Sequence, residues 1–537
     1  MANLIKKIKI KKQDGTFSDY IPIGAEAENV NVDGESVKVK LAKKPYYYDT
    51  VADMKADAKL KVGDMAITLG YYEPNDGGSG QYNITNIRNI NKYQENLNNG
   101  LYANLIVENE INVECFGAIG DGIINDTDAI INCFKYSKKI IANKIYKCNF
   151  SDIEISNDFI LIGNGTFKLN KIIFNGKVNI NNINFIFDDT TSLGITLNGN
   201  NSIIKSCIFN NLNLNAKTSL LSIKANNIIV KDSSFINNQS GRAGIMANTV
   251  DNCVVKNCYF EKIGETAVTF MGSSKNCIAD SNIAKDCAIL GTLSDGVFST
   301  YADFDSGIYA DNIGFINNQI LGNDIKYCFR FDGILNGYAK NNFINISGDC
   351  KRVFRIQDRI DHEIKLYTKN IDISDNVVNV NSTSTVSIVA ISSAHDGLFV
   401  NISNNLIKAF KENYTSIFIE MAQDTSFNGK IIINNNDVDI NGYIINYNSD
   451  AATLVNYDML NNKFYYHGRV VFSTSGRINV INNYFENDTN HMIQLKNCKC
   501  IIINNTLVNS TQVPDIYNVT SSATMLTPLD NTLIQIS

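Results

Sequence analysis

The chain is 537 residues long, carries 48 Lys and Arg against 54 Asp and Glu, and is 44% apolar. That apolar share supports a substantial core and excludes a disordered polymer, while a net charge of −6 with interspersed signs excludes nucleic acid or an anionic membrane as main partner. No stretch is long and apolar enough to cross a bilayer, and the opening MANLIKKIKIKK lacks the apolar run and cleavage site of a secretory signal. The twelve Cys form no CxxC pair, so the expectation is reduced thiols stacked in a core, in a protein made in a cytoplasm.

Residues 1 to 45 alternate in short β-like runs, IKKIKI and VKVKL, separated by Gly15, Gly24 and Gly34, and read as a small β module. From Tyr48 to Ile84 the pattern predicts a short helix, a strand, a Gly-rich turn holding Asp76 and Gly77, and a returning strand. Residues 46–110 are therefore a connector module. Next comes FGAIGDGIINDTDAIINC, Phe116 to Cys133. Gly117, Gly120 and Gly122 suit a tight left-handed loop, Asp126 or Thr127 can accept from the first N–H groups of a helix, and Ala129, Ile130, Cys133 and Phe134 give that helix one apolar stripe. A short amphipathic helix over 126–138 before a strand-rich region suits the covering of an open end of stacked strands.

The rest of the chain repeats. Short turns, NCYF at Asn257, NNQI at Asn317, NNFI at Asn341, NNLI at Asn404, NNKF at Asn461, NNYF at Asn482 and NNTL at Asn504, recur along it. Their second position runs Cys207, Ser233, Cys258, Asn282, Asn318, Asn342, Asn376, Asn405, Asn436, Asn462, Asn483 and Asn505, and two places later stand Phe209, Phe235, Phe260, Ala284, Ile320, Ile344, Val378, Ile407, Val438, Phe464, Phe485 and Leu507. Intervals of 21 to 29 residues fit a coil of three short strands, with a buried apolar column beside a ladder of amides that satisfy each other and the backbone. Ordinary Asn-rich low complexity would not keep that offset. Three intervals are longer, 36 residues from Asn282 to Asn318, 34 from Asn342 to Asn376 and 31 from Asn405 to Asn436, and the excess must leave the coil as loops that wall a groove. Residues 513–537 break the repeat and read as a terminal cap or a subunit contact.

The GDGIINDTDAI stretch resembles the GDG-x-x-DDT-x-A-I signature that opens pectate-lyase-like right-handed parallel β-helices, notably bacteriophage tailspikes, with Asn125 in place of the first Asp. The segment Tyr48 to Ile84 is similar to one found before β-helices in tail proteins of phages of Gram-positive hosts. The expectation is an all-β chain: a right-handed parallel β-helix over 111–512 with small N-terminal α/β attachment modules and a capping helix. The resemblance implies a virion tail protein, a homotrimer joined to the tail or baseplate through its N-terminus, whose partner is a host surface polysaccharide.

Aligning GIYADN, CFRFDG, VFRIQD and SIFIEM as rungs of one outward strand puts Tyr309, Arg330, Arg355 and Glu420 in one column and Asp311, Asp332 and Gln357 in another. Rungs lie ~4.8 Å apart, so Asp311 and Asp332 would stand near the ~5 to 5.5 Å carboxylate separation of retaining glycosidases; Asp303, Asp305 or Asp358 would suit the wider inverting one. Tyr301 and Tyr309 offer rings for sugars in place of the absent Trp. Arg330 above Arg355 equally suits an acidic glycan, bound or cleaved by β-elimination. The structural alternative is a set of solvated ion pairs on a non-catalytic receptor-binding surface. DFDSG, with Asp303 and Asp305, lacks the later Gly and Glu of a calcium loop, and the four His (His362, His395, His467, His491) sit on different repeats without a Ser or Cys partner at a telling spacing. No metal, cofactor or hydrolase triad is expected.

Overall fold

The computed structural model describes residues 45–537 apart from 108–109, 150–152, 189–193, 214–216, 291–295, 303–306, 361–364, 393–395, 410–414, 422–427, 448–454, 469, 474–475, 489–492, 497–498, 510–515, 519–523, 528–530 and 536–537. Before residue 45 it describes two antiparallel strand pairs, Lys7–Ile8 with Ile21–Pro22 and Asn31–Val32 with Glu35–Ser36. The chain divides into two compact units, residues 1–119 with 128–137, and residues 120–127 with 138–537.

In the first unit a five-stranded sheet runs in the order Tyr46–Tyr48, Met65–Thr68, Gly80–Thr85, Tyr102–Leu105, Gln94–Asn96. Helix α1, Val51–Ala56, starts from a capping box in which Thr50 and Asp53 exchange hydrogen bonds. Asp76 is a turn residue, as expected: its carboxylate accepts from the N–H groups of Tyr71, Tyr72, Glu73 and Gly78, and Gly77 beside it has φ +98°. Helix α2, Thr127–Tyr136, also belongs to this unit, with Ile130, Cys133 and Phe134 buried on one stripe. At the second unit's start, Asn125 accepts from Thr127 N at 3.2 Å, while the buried Asp126 accepts from Gly120 N at 3.3 Å across the glycine loop. Asn125 thus holds the first residue of the helix.

The second unit is a right-handed parallel β-helix, the sense that parallel crossovers adopt. Each coil contributes one strand to each of three parallel sheets. Sheet A extends from Lys139–Ala142 to Thr524–Thr527, sheet B from Asp121–Asn125 to Thr532–Gln535 and sheet C from Ile153–Ile155 to Ile516–Asn518; B has 17 described strands and C has 15. The repeated Asn doublet is the corner between A and B, and its two members do different work. The first turns the chain: Ser206, Asp232, Asn257, Ser281, Asn317, Asn341, Asp375, Asn404, Asn435, Asn461, Asn482 and Asn504 all lie at φ between 50° and 60°. Short polar side chains tolerate this left-handed conformation best after glycine.

The second member forms the ladder. Asn342 Nδ2 donates to Phe315 O at 2.9 Å and to Asn376 Oδ1 at 2.9 Å, and its backbone N–H reaches that same oxygen. The pattern repeats from Asn282 to Asn505 and ends on Asn531. Leu533 stands in register with Leu507 on the next rung. Residues Ile516–Asn518, Thr524–Thr527 and Thr532–Gln535 therefore add one more coil, which corrects the reading of 513–537 as a segment outside the repeat. The apolar column is buried throughout, with Phe235 stacked between Phe209 at 4.5 Å and Phe260 at 5.2 Å. A second amide chain runs outside, between C and A, through Asn201, Asn227 and Asn252, and then from Asn276 to Asn312. The eleven described cysteines are buried free thiols.

Candidate functional site

The sheet C strands Phe298–Tyr301, Tyr327–Asp332 and Arg352–Gln357 stack in register. Their inward residues Phe298, Phe329 and Phe354 pile up in the core at 5.8 and 5.1 Å. Alternation then turns Arg330, Asp332, Arg355 and Gln357 outward. Ser299, Arg330, Arg355, Ala390 and Glu420 form one column, and Tyr301, Asp332, Gln357 and Ser392 form the next. Arg330, Arg355 and Glu420 therefore share a column as the sequence suggests, and so do Asp332 and Gln357.

Two members of the expected set stand elsewhere. The rung above CFRFDG is FSTY, not GIYADN, because the long Asn282 to Asn318 interval holds a sheet C strand that the alignment skipped. Asp311 consequently begins the sheet A strand Asp311–Ile316, opposite Lys275, and accepts from Asn336 Nδ2 at 2.6 Å. It does not pair with Asp332. Tyr309 precedes that strand, and its hydroxyl accepts from Tyr367 N at 3.2 Å. Asp303 and Asp305 lie outside the described residues.

The cluster that does assemble is tightly bonded. Arg330 Nε donates to Asp332 Oδ2 at 2.7 Å, and its terminal nitrogen lies 2.6 Å from the same oxygen. Asp332 is 2% exposed, and its other oxygen, Oδ1, has no hydrogen-bond partner among the described residues. Arg355 donates to Gln357. Burial pushes the Arg355 guanidinium below the ordinary arginine range; Asp332 opposes this, and Arg330 and Arg352 add to it. Tyr301 is 7% exposed, and the Arg330 and Arg359 guanidiniums lie 5.1 and 4.8 Å from its ring centre. Its ring is engaged by cations rather than presented to a sugar.

The 34-residue interval supplies the cover. It emits an antiparallel hairpin, Arg359–Ile360 with Lys365–Leu366, directly after the Arg352–Gln357 strand. Thr368 ties the hairpin back: its N–H donates to Asp358 Oδ1 at 2.9 Å, its hydroxyl donates to Gln357 O at 2.6 Å, and Gly333 N donates to that hydroxyl at 2.8 Å. Asp358, 4% exposed, sits just past Gln357, on the rung next to Asp332. Glu420 lies two rungs beyond Arg355 and accepts from Ser387 Oγ at 2.7 Å, with Arg352 Nε at 3.6 Å. Arg352, Arg359, Thr368 and Ser387 were not singled out from sequence. The long interval from Asn342 to Asn376 spans Arg352, Arg359 and Thr368, but nothing marked Ser387. Among the described residues no group of His, Cys, Asp and Glu is arranged to hold a metal ion.

No protein-family model matches the chain, and no curated protein does. Among solved structures it is similar to a mutant tailspike protein of E. coli bacteriophage HK620 in complex with a hexasaccharide, at 11% identity and a TM-score of 0.42, over 81% of this chain and 83% of that one. A double mutant of that tailspike in complex with a pentasaccharide gives 10% identity and a TM-score of 0.39, over 83% and 82%. A hyperthermoactive exopolygalacturonase from Thermotoga maritima gives 12% and 0.41, over 62% of this chain and 88% of that one.

Proposed function

We propose that the chain is a phage tailspike or tail-fibre protein whose β-helix binds a host cell-surface polysaccharide along the outer face of sheet C and hydrolyses it. The observation that carries this reading is the stack of Arg330 and Arg355 beside Asp332 and Gln357, flanked by a hairpin that a long repeat interval emits. The resemblance of Gly120 to Ile130 to the opening signature of tailspike β-helices points the same way. In this reading the guanidiniums and the Gln357 amide hold sugar hydroxyls or carboxylates. Asp332 and Asp358, on adjacent rungs, supply the two carboxylates: one donates a proton to the glycosidic oxygen as the C–O bond breaks, and the other attacks the anomeric carbon or draws a proton from water. The unpartnered Asp332 Oδ1 suits the accepting role. As a tailspike the protein would act as a homotrimer on the virion, attached through its N-terminal unit.

The second reading is a receptor-binding β-helix that does no chemistry. It draws on the near-complete burial of Asp332 and Asp358 and on their bonds to Arg330 and Thr368, the setting of structural carboxylates. Incubation with a panel of purified capsule and wall polysaccharides separates the two. Hydrolysis expects reducing ends released by the parent protein and lost by two or more orders of magnitude in Asp332→Asn. Binding without release by either form would establish the receptor-binding reading, and an unsaturated sugar at the new end would make the enzyme a lyase.

A further inference from the structure

Sheet B carries a concave surface, made of a different chemistry from the sheet C cluster. Six successive rungs place Asn345, Asn379, Lys408, Asp439, Tyr465 and Glu486 in one outward column. Over its first part, from the Gly322 rung to Asp439, lies a groove of 630 Å³; a smaller hollow of 200 Å³ continues from Asp439 to Asp488. Asp439 lines both, so the two are one track crossing seven strands, roughly 29 Å at the ~4.8 Å spacing of parallel rungs.

Most side-chain polar groups along the wide part are unspent, Ser347, which donates to Asn323, being the exception. The buried ladder amides bond to each other and to backbone, and on sheet C Arg330 is paired with Asp332, Arg352 with Glu420, and Arg355 donates to Gln357. By contrast, the side chains of Asn345, Asn379, Lys408 and Asp439 form no hydrogen bond or ion pair with other described residues, so their donors and acceptors face solvent. At the narrow end Tyr465 and Tyr484 bring their rings to 5.7 Å, and Tyr484 donates to Glu486 at 2.6 Å. The field there is negative: burial pushes the Tyr465 phenol up, and Asp437, Glu486 and Asp439 push it further. Aromatic faces at the end of a line of amides match the alternating apolar faces and equatorial hydroxyls of a sugar chain. The carboxylates repel a uronate or phosphate. The amides pair with hydroxyl or acetamido groups.

We propose that the outer face of sheet B is a second glycan-binding track, selective for a neutral oligosaccharide bearing hydroxyl and acetamido groups, and separate from the arginine cluster on sheet C. It stands whether or not the sheet C site cleaves.

The test is a printed array of bacterial oligosaccharides, neutral and acidic, probed with the full chain and three variants: Asn379→Ala with Asp439→Ala, Lys408→Ala, and Arg355→Ala. The first two alter outward residues away from the amide ladder, and far-UV circular dichroism and the melting midpoint confirm folding. Expected is binding to at least one neutral oligosaccharide, weakened tenfold or more by the double variant, several-fold by Lys408→Ala, and unchanged by Arg355→Ala. Absence of any neutral ligand, or equal binding by the double variant, overturns the proposal and leaves the sheet C reading intact. Neutral binding lost in Arg355→Ala alone also overturns it, by assigning that ligand to sheet C.

Discussion

Replacing Asn342 by Ala probes the ladder at its middle. Asn342 Oδ1 accepts from Asn318 N at 2.9 Å and from Asn318 Nδ2 at 3.1 Å, and Asn318 is fully buried. Ala at 342 strands both donors and also removes the Nδ2 donor from Phe315 O. Each stranded buried donor costs about 1–3 kcal/mol, so the pair costs about 4 kcal/mol. For a unit of about 400 residues the unfolding entropy near the midpoint converts this to a fall of roughly 5 °C. The adjacent Asn341 is the internal control: it is exposed, at φ 55°, and contributes conformation rather than side-chain bonds to the corner. Asn341→Gly keeps that conformation without strain and is expected to leave the midpoint within about 1 °C. The assay is thermal unfolding by far-UV circular dichroism, with hydrogen exchange on the rungs around residue 342. Equal midpoints for Asn342→Ala and Asn341→Gly would refute the division of labour within the doublet.

Phe235→Ala opens the aromatic stack between Phe209 and Phe260 and is expected to destabilise the coil by about 4 kcal/mol, read as a fall in midpoint comparable to that of Asn342→Ala. Burial pushes the Cys207 thiol up to about 11 and that of Cys258 to about 12; a thiol reagent at neutral pH should leave the eleven described cysteines unmodified in the folded protein and reach them on unfolding. Glu95 is buried, which raises its carboxyl, but bonds from Tyr71, Tyr93 and Lys55 outweigh this and hold it below the ordinary 4.5. Its contribution is therefore full above pH 4.5 and lost as pH falls through the lower folded value, so acid should loosen the first unit, followed by tyrosine fluorescence, and Glu95→Gln should flatten that dependence.

The coil was readable because its period is written in residue types that have few substitutes. A corner at positive φ admits Asn, Asp or Ser, and a buried ladder position admits an amide or another small hydrogen-bonding group, so both positions stand out at intervals near 24 residues. The column beside them needs only to be apolar, and Ala284 shows how loosely that is specified. The last coil was missed although Asp530–Asn531 follows Asn505 at a regular interval of 26 residues with the same pairing as Asp375–Asn376, because no further turn follows it to continue the series. The outward strand of sheet C was harder to read. Its side chains follow no amide rule, and the 36-residue interval left two ways to place a strand within it, FSTY or GIYADN. Choosing the latter shifted Asp311 and Tyr309 onto the wrong sheet and left Ser299 and Tyr301 out of their columns. Arg330, Arg355 and Asp332 survived because CFRFDG and VFRIQD align without a gap. The hairpin over Asp358 was legible only as excess length. Its chemistry depends on Thr368 returning to Gln357, a contact between residues 11 apart that no local pattern encodes.

Hydrogen exchange of the full chain, with and without an acidic polysaccharide that it binds, locates where that glycan meets the protein. Protection is expected on the sheet C strands Phe298–Tyr301, Tyr327–Asp332 and Arg352–Gln357 and on the hairpin that follows, abolished by Arg355→Ala together with Arg330→Ala. Protection confined to other faces of the coil, or unchanged in that double variant, would contradict the assignment of the sheet C cluster as the glycan site.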